Sequence, residues 1–370
     1  MNRRWPPLVL VPTMLLLFAG LGAAVHRGTA LQPPTCQQRQ FHVALAPGLP
    51  ARYKVVGWLC GRPPLSGRTF QVLLPGATQT HLYWDVPLRP QQYSYVRALT
   101  NAGYATLNLD NIGSGQSDLP PGDHVTVAAA AYVVHQIVQA LHTGQRPASS
   151  LGKVILVGHS TGAAIAVAEA NRYADVDGLI LTGLLHTYAP TASVIPLLLY
   201  PAARDPQFAH RHLPPGYLTF LPGTRAIFLY SPNTDPDVIA LSEKEGRDIT
   251  PEGESAGFAR VVTSPALVQG IRVPILSVVG QYDAVFCTAP SCPEAQAEPA
   301  FYDCHSQSAG ARNLVATICA PRAELELVVV PNAGHNLNLH RNARAWFAIA
   351  RHWSDRHFGP AGRSAKRRRL

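Results

Sequence analysis

The stretch that most restricts the fold of this chain runs from Lys153 to Tyr173 and reads KVILVGHSTGAAIAVAEANRY. It begins with an almost continuous apolar, β-branched run, which is typical of a strand buried on both faces of a parallel sheet. It ends in a helical pattern of small residues, which lets a helix pack closely on a sheet. Only GHSTG separates the two parts. We therefore predict a strand, a sharp turn that carries Ser160, and a helix.

Further apolar runs alternate with helical patterns along the chain. Between residues 126 and 141, apolar residues recur at spacings of four and three, which places them on one face of a helix. Segment 342–358 has the pattern of an amphipathic helix, and segment 92–103 is also helix-like. This alternation indicates an α/β fold, with a mostly parallel, doubly wound sheet that carries helices on both faces. The predicted strands lie at 53–60, 69–76, 104–110, 153–158, 176–183, 273–280 and 325–331.

Two long segments interrupt the alternation. Residues 186–263 are rich in Pro, Tyr, Leu and Phe, and an apolar insertion after a strand is typical of a cap or lid over a binding site. Residues 286–319 form a second insertion, which holds four of the cysteines. The sequence therefore predicts a core of residues 31–185 and 264–358, with the cap inserted between its two parts.

The beginning of the chain has the composition of a targeting segment. Two arginines precede an apolar run from Leu8 to Ala24, and small residues follow it. We predict a secretory signal peptide over residues 1–30, cleaved after Ala24 or Ala30. An uncleaved membrane anchor is the alternative, but the run is short for a span of about 20 residues. We therefore expect no stable membrane insertion once the signal is removed.

The basic charge of the chain is concentrated at its ends. The formal net charge is +9, but residues 1–30 carry three arginines and no acid, and residues 361–370 carry five basic residues and no acid. The body between them is nearly neutral, and we expect residues 359–370 to form a disordered basic tail. A surface that binds nucleic acid needs clustered basic residues on the folded part, so we expect no nucleic-acid partner. The sequence does not indicate an oligomeric state.

The number of cysteines bears on the compartment of the protein. Six cysteines behind a predicted signal peptide indicate disulfides and a secreted, extracellular protein. Spacing favours a bridge between Cys36 and Cys60 and two bridges among the other four, although six cysteines allow fifteen pairings. A zinc site near His305 is the alternative, but oxidising conditions favour disulfides, so we expect no metal. The other four cysteines are Cys287, Cys292, Cys304 and Cys319.

Ser160 has the surroundings of a nucleophile. It follows a buried strand and precedes a helix, whose first backbone N–H groups and positive dipole end are directed toward it. Serine needs a base, and we predict His335, on the loop after the last strand, with His340 as the alternative. We predict that Asp283 holds the imidazole of His335. Three acids before the serine fit this order less well: Asp110, which we expect to hold its own loop, Asp118 and Asp123.

An oxyanion hole needs two donors aimed at the charge that develops in the reaction. We predict that the amide of Thr161, the residue after the nucleophile, is the first donor. The second should come from the loop that follows strand 69–76, where Gly76 lets the backbone turn. There the amide of Ala77 is the preferred candidate and that of Thr78 is the alternative.

These motifs resemble those of the alpha/beta hydrolase superfamily over about residues 40–355. The chain order of the proposed serine, acid and histidine is that of the family. The segment NLDNIGSGQSD is similar to the family's D-x-x-G-x-G-x-S loop, and LPGATQTHLYWD matches its H-G-x oxyanion loop. One departure is Pro75, which stands where the family usually has His. The cap and the cysteines together resemble a secreted, lid-bearing esterase or lipase-like branch.

The resemblance implies a secreted serine hydrolase that cleaves a carboxylic ester through an acyl-enzyme and without a cofactor. Its partner would be a small-molecule or lipid-like ester, with an apolar acyl or alcohol part suggested by the composition of the cap. A thioesterase, peptidase, C–C hydrolase or perhydrolase, or a catalytically silent binder of hydrophobic ligands, remains an alternative. The apolar cap residues are Leu197, Leu198, Leu199, Tyr200, Tyr217, Phe220, Phe228 and Tyr230.

Overall fold

Eight strands form one large sheet in the computed structural model, which describes residues 34–144, 152–186, 188–264, 266–287, 304 and 324–360. A second, small sheet has three strands. The strands are β1 Thr35–Val43, β2 Tyr53–Gly61, β3 Phe70–Leu74, β4 Ala105–Leu109, β5 Val154–His159, β6 Gly178–Thr182, β7 Leu199–Pro201, β8 Tyr217–Phe220, β9 Thr250–Pro251, β10 Ile275–Gly280 and β11 Leu325–Val330.

The helices fall between these strands. The α-helices are α1 Pro90–Tyr93, α2 Tyr95–Asn101, α3 Val127–Gly144, α4 Thr161–Tyr173, α5 Pro236–Lys244, α6 Gly253–Thr263, α7 Ala266–Gln269 and α8 Ala343–His357. Short 3₁₀ helices lie at His81–Tyr83, Gly122–His124, Pro190–Leu198, Ala202–Arg204, Ala209–Arg211, Arg225–Phe228, Ser231–Asn233 and Leu337–Leu339.

The large sheet is mostly parallel. Its strand order is β1-β2-β4-β3-β5-β6-β10-β11, and every neighbouring pair from β4 to β11 is parallel. Strand β2 runs antiparallel to both β1 and β4. The order reverses around β3, as expected of a doubly wound sheet. Because the strands from β4 to β11 are parallel, their carboxyl ends meet at one edge of the sheet. The α/β class predicted from the alternating pattern is confirmed.

Both faces of the sheet are covered, and alternate residues of β5 show this directly. Val154 and Leu156 belong to a core that includes residues of α3 and α4. Ile155 and Val157 belong to a second core, with residues of α2 and α8. Burial on both faces explains why the strand reads as a continuous apolar run. In α3 the residues predicted to share a face are buried: Val127, Ala131, Val134, Val138 and Leu141.

The chain between β6 and β10 does not belong to the large sheet. It contains the small sheet, in which β8 pairs antiparallel with both β7 and β9, together with α5, α6 and α7. This is the part of the chain for which the sequence predicts a cap, and the cap boundaries of 186 and 263 stay a prediction. The described residues all lie in one compact unit, Gln32–Leu370.

Disulfides join two pairs of cysteines in the described part of the chain. Cys36 and Cys60 lie opposite each other in the β1–β2 pair and are bonded, as their spacing predicts. Cys287 is bonded to Cys304, which is one bridge within the second group. The remaining two cysteines, 292 and 319, lie outside the described residues, as do the predicted signal peptide and residues 361–370 of the basic tail. Among the described residues, no helix combines the length and apolarity needed to cross a membrane.

Candidate active site

Ser160 lies on a strained turn between β5 and α4. Its backbone has φ 51° and ψ −116°, a region that L-residues rarely adopt. The amide of Ser160 donates to the carbonyl of Thr182 over 2.9 Å, and the Ser160 carbonyl accepts from Ala163 and Ala164 in the first turn of α4. Strand and helix thus hold the serine from both sides. Such a turn exposes the hydroxyl at the edge of the sheet.

The glycines on either side of Ser160 are required by close packing. A Cβ at Gly158 would overlap the Gly162 carbonyl oxygen and the backbone of Ala163. A Cβ at Gly162 would overlap the carbonyl oxygen of Leu74 at the end of β3. The helix can therefore approach the sheet this closely only without side chains at these two positions. This is the physical basis of the G-x-S-x-G spacing.

Asp283 and His335 are hydrogen-bonded. His335 Nδ1 lies 2.9 Å from Oδ2 and 3.0 Å from Oδ1 of Asp283. Asp283 follows β10 and His335 follows β11, so two adjacent parallel strands deliver the two side chains to the same edge. The Asp283 carboxylate also accepts from the amides of Val285 and Phe286, at 2.9 and 3.3 Å, and is fully buried. These contacts orient the imidazole with Nδ1 toward the acid and leave Nε2 for another partner.

Ser160 and His335 line the same small cavity, of about 20 Å³. In the part of the chain that the structure describes, no hydrogen bond joins the serine hydroxyl to the imidazole. Such bonds are often long before substrate binds and shorten only in the reacting complex. The other lining residues are Gly76, Ala77, Thr78, Gln79, His159, Arg225, Phe228 and Asn336.

The two predicted oxyanion donors flank this serine. Ala77 lines the cavity, and Thr161 is the first residue of α4, directly after Ser160. Within the described residues, neither backbone amide donates a hydrogen bond to another group of the chain. Thr78, the alternative, also lines the cavity and has φ 57°. The amides of Ala77 and Thr161 are thus free to bind an oxygen that carries developing charge.

The model of the alpha/beta hydrolase family matches residues 71–349, which is well over half of the chain. The chain belongs to the alpha/beta hydrolase family. The resemblance drawn from the sequence motifs is thereby confirmed, as is the predicted alpha/beta hydrolase fold. No curated protein matches this chain in sequence.

Solved structures resemble this alpha/beta hydrolase over most of their length. A thermophilic esterase from Thermogutta terrifontis is 20% identical with a TM-score of 0.55, and the match covers 87% of this chain and 99% of the esterase. The monoacylglycerol lipase of Paleococcus ferrophilus is 15% identical, with a TM-score of 0.53 and the same coverage of 87% and 99%. The 2-hydroxy-6-oxo-6-phenylhexa-2,4-dienoate hydrolase of Rhodococcus sp. strain RHA1 is 19% identical with a TM-score of 0.50, over 87% and 99%. Likeness at these identities shows the fold.

A buried polar network supports the oxyanion loop of this alpha/beta hydrolase. Gln79 accepts from the amide of Gly76 over 3.0 Å and donates to Asn336 Oδ1 over 3.1 Å. The same oxygen of Asn336 lies 3.0 Å from Nε2 of the buried His159, whose Nδ1 lies 3.1 Å from the Thr182 hydroxyl. The network joins the loop after β3 to the residue that follows His335. Sequence reasoning missed it, because nothing in the spacing of these residues shows that they meet.

His340, the alternative base, is occupied elsewhere. Its Nε2 accepts from the amides of Tyr230 and Gly334, at 2.9 and 3.0 Å, and its Nδ1 lies 3.1 Å from the Asn336 carbonyl. Burial lowers the pKa of His340 to about 4. The ring is therefore a neutral bridge between two loops and does not line the cavity. This assigns His340 a structural role.

Asp110 holds its own loop, as the sequence predicts. Oδ1 accepts from the His81 amide and lies 2.8 Å from His81 Nδ1, while Oδ2 accepts from the Gln116 amide over 2.8 Å. Asp118 accepts from the Lys54 amide and is partly exposed. Neither acid hydrogen-bonds His335, whereas Asp283 does.

Two residues from the segment between β6 and β10 contact Thr78 in the oxyanion loop. Arg225 Nη1 donates to the Thr78 hydroxyl over 2.7 Å and to its carbonyl over 3.3 Å. The Asp248 amide donates to the same carbonyl over 2.9 Å. Burial lowers the pKa of Arg225 to about 10, and the negative charges of Glu243 and Asp248 oppose this shift. The cation rests on neutral oxygens beside the cavity.

Proposed function

We propose that this protein is a secreted serine hydrolase of carboxylic esters, in which Ser160 is the nucleophile, His335 the base and Asp283 the orienting acid. The observation that carries the proposal is the hydrogen bond between His335 Nδ1 and Asp283, made at the cavity where Ser160 stands on a strained turn. Membership of the alpha/beta hydrolase family supports it, since the three residues follow the chain order of that fold.

The proposed reaction has two halves. Ser160 Oγ attacks the carbonyl carbon of the ester while His335 Nε2 takes the hydroxyl proton, and the amides of Ala77 and Thr161 bind the oxyanion. The tetrahedral intermediate collapses, and His335 returns the proton to the departing alcohol, which leaves an acyl-enzyme. Water then attacks the acyl carbon with His335 again as base. The acid departs and Ser160 regains its proton.

The proposed substrate is an ester with an apolar part, held under a cap formed by residues 186–263. Phe228 of this segment lines the catalytic cavity, and Leu197 and Val194 are exposed, at 75% and 42%. The cavity of about 20 Å³ has room for roughly one water molecule, far below the several hundred Å³ of usual ligand sites. A bound ester would therefore extend beyond this cavity. Esterase and lipase relatives of the same fold are consistent with ester chemistry.

A fluorophosphonate probe tests the proposed nucleophile. The wild-type protein should become labelled, and Ser160→Ala should abolish labelling and ester hydrolysis while the protein stays folded by circular dichroism. Ser193→Ala, which alters an exposed serine of the neighbouring segment, is the matched control and should label like the wild type. A wild-type protein that does not label, or a Ser160→Ala protein that still does, would remove the proposed mechanism and favour the silent binder.

A series of p-nitrophenyl esters from acetate to octanoate tests the substrate class. If the apolar part is bound under the cap, kcat/KM should rise with acyl length beyond acetate. If kcat/KM for the octanoate ester is no higher than for acetate, the proposed apolar site is wrong. The assignment of Ser160 as the nucleophile would not be affected. A matched thioester, amide and β-diketone would separate the alternative thioesterase, peptidase and C–C hydrolase activities.

Secretion is the remaining part of the proposal. The two disulfides of the described residues are consistent with an oxidising compartment. Sequencing the N-terminus of exported protein should give a chain that begins directly after Ala24 or Ala30. Retention of the intact N-terminus on cell membranes would instead identify residues 1–30 as an anchor.

A further inference from the structure

Three potential metal ligands converge beside helices α3 and α4, outside the catalytic cavity. His135 lies in α3, Glu169 in α4, and Asp175 follows α4. One ligand atom from each lies within 4.8 Å of the other two. Sequence analysis did not connect these residues, because they come from separate elements and have no recognisable spacing.

Glu169 is the unusual member of this cluster. Its side chain is fully buried, and without a proton shared with the carboxyl of Asp175 neither of its oxygens has a hydrogen-bond donor among the described residues. Oδ1 of Asp175 is also buried and lacks a donor there. Unpaired buried carboxylate oxygens carry a large desolvation penalty. A proton held between the two carboxyls, a buried water or a cation bound by both can compensate for that penalty.

The surroundings of Asp175 leave this oxygen available. Oδ2 lies 2.7 Å from His135 Nδ1 and accepts from Gln139 Nε2 over 2.6 Å. His142 Nε2 lies 3.4 Å from the Asp175 carbonyl, so a second imidazole stands beside the cluster. The ring of His135 stacks on Tyr173 with centroids 4.1 Å apart, which holds the imidazole in place.

We propose that His135, Glu169 and Asp175 form a binding site for a divalent cation of the zinc type. For any three atoms no more than 4.8 Å apart there is a point within about 2.8 Å of all three, so a contraction of less than 1 Å reaches the roughly 2.0–2.2 Å of zinc–nitrogen and zinc–oxygen bonds. One imidazole and two carboxylates are a ligand set that zinc accepts, with the fourth position left for water. The cation would bind carboxyl oxygens that otherwise share a proton.

This site is a structural one. Glu169 lies nine residues beyond Ser160 along α4, which corresponds to roughly 13 Å of helix. A cation there would join α3 to α4 and to the start of β6 without touching the catalytic cavity. It should therefore raise thermal stability and leave esterase activity unchanged.

Protons compete with the cation for these ligands. Ligands must be deprotonated to bind metal, which makes the affinity higher at alkaline pH. Binding is best measured at pH 8 for this reason.

The experiment uses the mature chain without a histidine tag, stripped with a chelator and titrated with zinc chloride at pH 8. After the titration, wild-type protein should hold one zinc ion per chain by elemental analysis. Its Kd for zinc should be below about 10 μM, and its Tm should rise by about 3 °C or more at saturating zinc. Glu169→Gln should bind at least tenfold more weakly. Glu254→Gln is the matched control, because Glu254 is also a buried glutamate with an unpaired oxygen but lies outside the cluster.

A second variant distinguishes the loss of a metal ligand from misfolding. His135→Phe keeps a ring to stack on Tyr173 but removes the ligand nitrogen, and it should also lose zinc affinity at least tenfold. If the wild type does not bind zinc, the proposed metal site is wrong. The two carboxyls would then share a proton in the folded protein. Zinc bound equally by the wild type and by the folded variants would place the ion on other histidines and would equally overturn the proposal.

Discussion

His335 Nδ1 lies 2.9 Å from Asp283 Oδ2, although 52 residues separate the two in the chain. The contact exists because β10 and β11 are adjacent and parallel, so that the loops after them leave the sheet side by side. It links the proposed base to a fully buried carboxylate that two backbone amides also bind. Its functional consequences can be tested by substitution.

Asp283→Asn should reduce kcat/KM by about 10⁴-fold, because an amide in this position favours the wrong imidazole tautomer and cannot stabilise the imidazolium. The measurement is hydrolysis of the best p-nitrophenyl ester, with Tm to show that the fold survives. Asp118→Asn replaces a partly exposed acid and should retain near wild-type rates. A loss of less than tenfold in Asp283→Asn would exclude Asp283 from the mechanism.

His340→Leu should destabilise the protein but retain fluorophosphonate labelling of its folded fraction. The substitution leaves the amides of the partly buried Tyr230 and the buried Gly334 without an acceptor. This costs about 1–3 kcal/mol in the free energy of unfolding for the buried group and less for the partly buried one. His335→Leu, the matched change at the proposed base, should abolish labelling. The two roles would be exchanged if His340→Leu were the variant that failed to label.

Arg225→Met should lower kcat by about ten- to a hundredfold with a smaller change in KM. The guanidinium donates to both oxygens of Thr78, and losing this support should misplace the neighbouring oxyanion amide, whose complete removal is worth about 10²–10³ in rate. Arg204→Met, at an exposed arginine of the same segment, is the control. An unchanged kcat would show that the oxyanion loop holds its position without the arginine.

Glu254→Gln should stabilise the protein at alkaline pH. Burial raises the pKa of Glu254 to about 8, above its ordinary value of 4.5. Between these pH values the folded state holds a proton that the unfolded state has released, so wild-type stability falls as pH rises, by up to about 1.4 kcal/mol per pH unit. The neutral glutamine removes this dependence.

Denaturant unfolding of both proteins from pH 5 to pH 8.5 measures the effect. The stability advantage of Glu254→Gln should be near zero at pH 5 and largest at the alkaline end. Glu245→Gln, which replaces an exposed glutamate, should show no such trend. An advantage that does not change with pH would mean that Glu254 titrates in the folded protein as it does in the unfolded chain.

The strands and helices of the core could be predicted because the apolar pattern of the local sequence reflects their burial. Each predicted strand, from 53–60 to 325–331, corresponds to a strand of the large sheet within a few residues, since a strand covered on both faces must be apolar throughout. The helix from Val127 onward was recognisable because one of its faces is buried and the other is not.

Elements outside this core escaped prediction for the same reason. Strand β1 is almost entirely exposed, so its sequence TCQQRQFHV shows no apolar periodicity, and its pairing with β2 sets its position, together with the Cys36–Cys60 bridge. The small sheet of β7, β8 and β9 consists of two- to four-residue strands, too short to produce a recognisable pattern. Segment 186–263 therefore read as an irregular apolar insertion.

By itself, the sequence of this protein determined the order of its core strands and helices, its family and the residue types available for catalysis, because short-range periodicity and the glycines around Ser160 report local backbone and burial. Only the tertiary structure decided which of those residues meet. The pairing of His335 with Asp283, the placement of Asn336 against Gln79 and His159, and the convergence of His135 on Glu169 and Asp175 all join separate elements. Such contacts follow from how the sheet closes and its helices pack, and no local pattern encodes them.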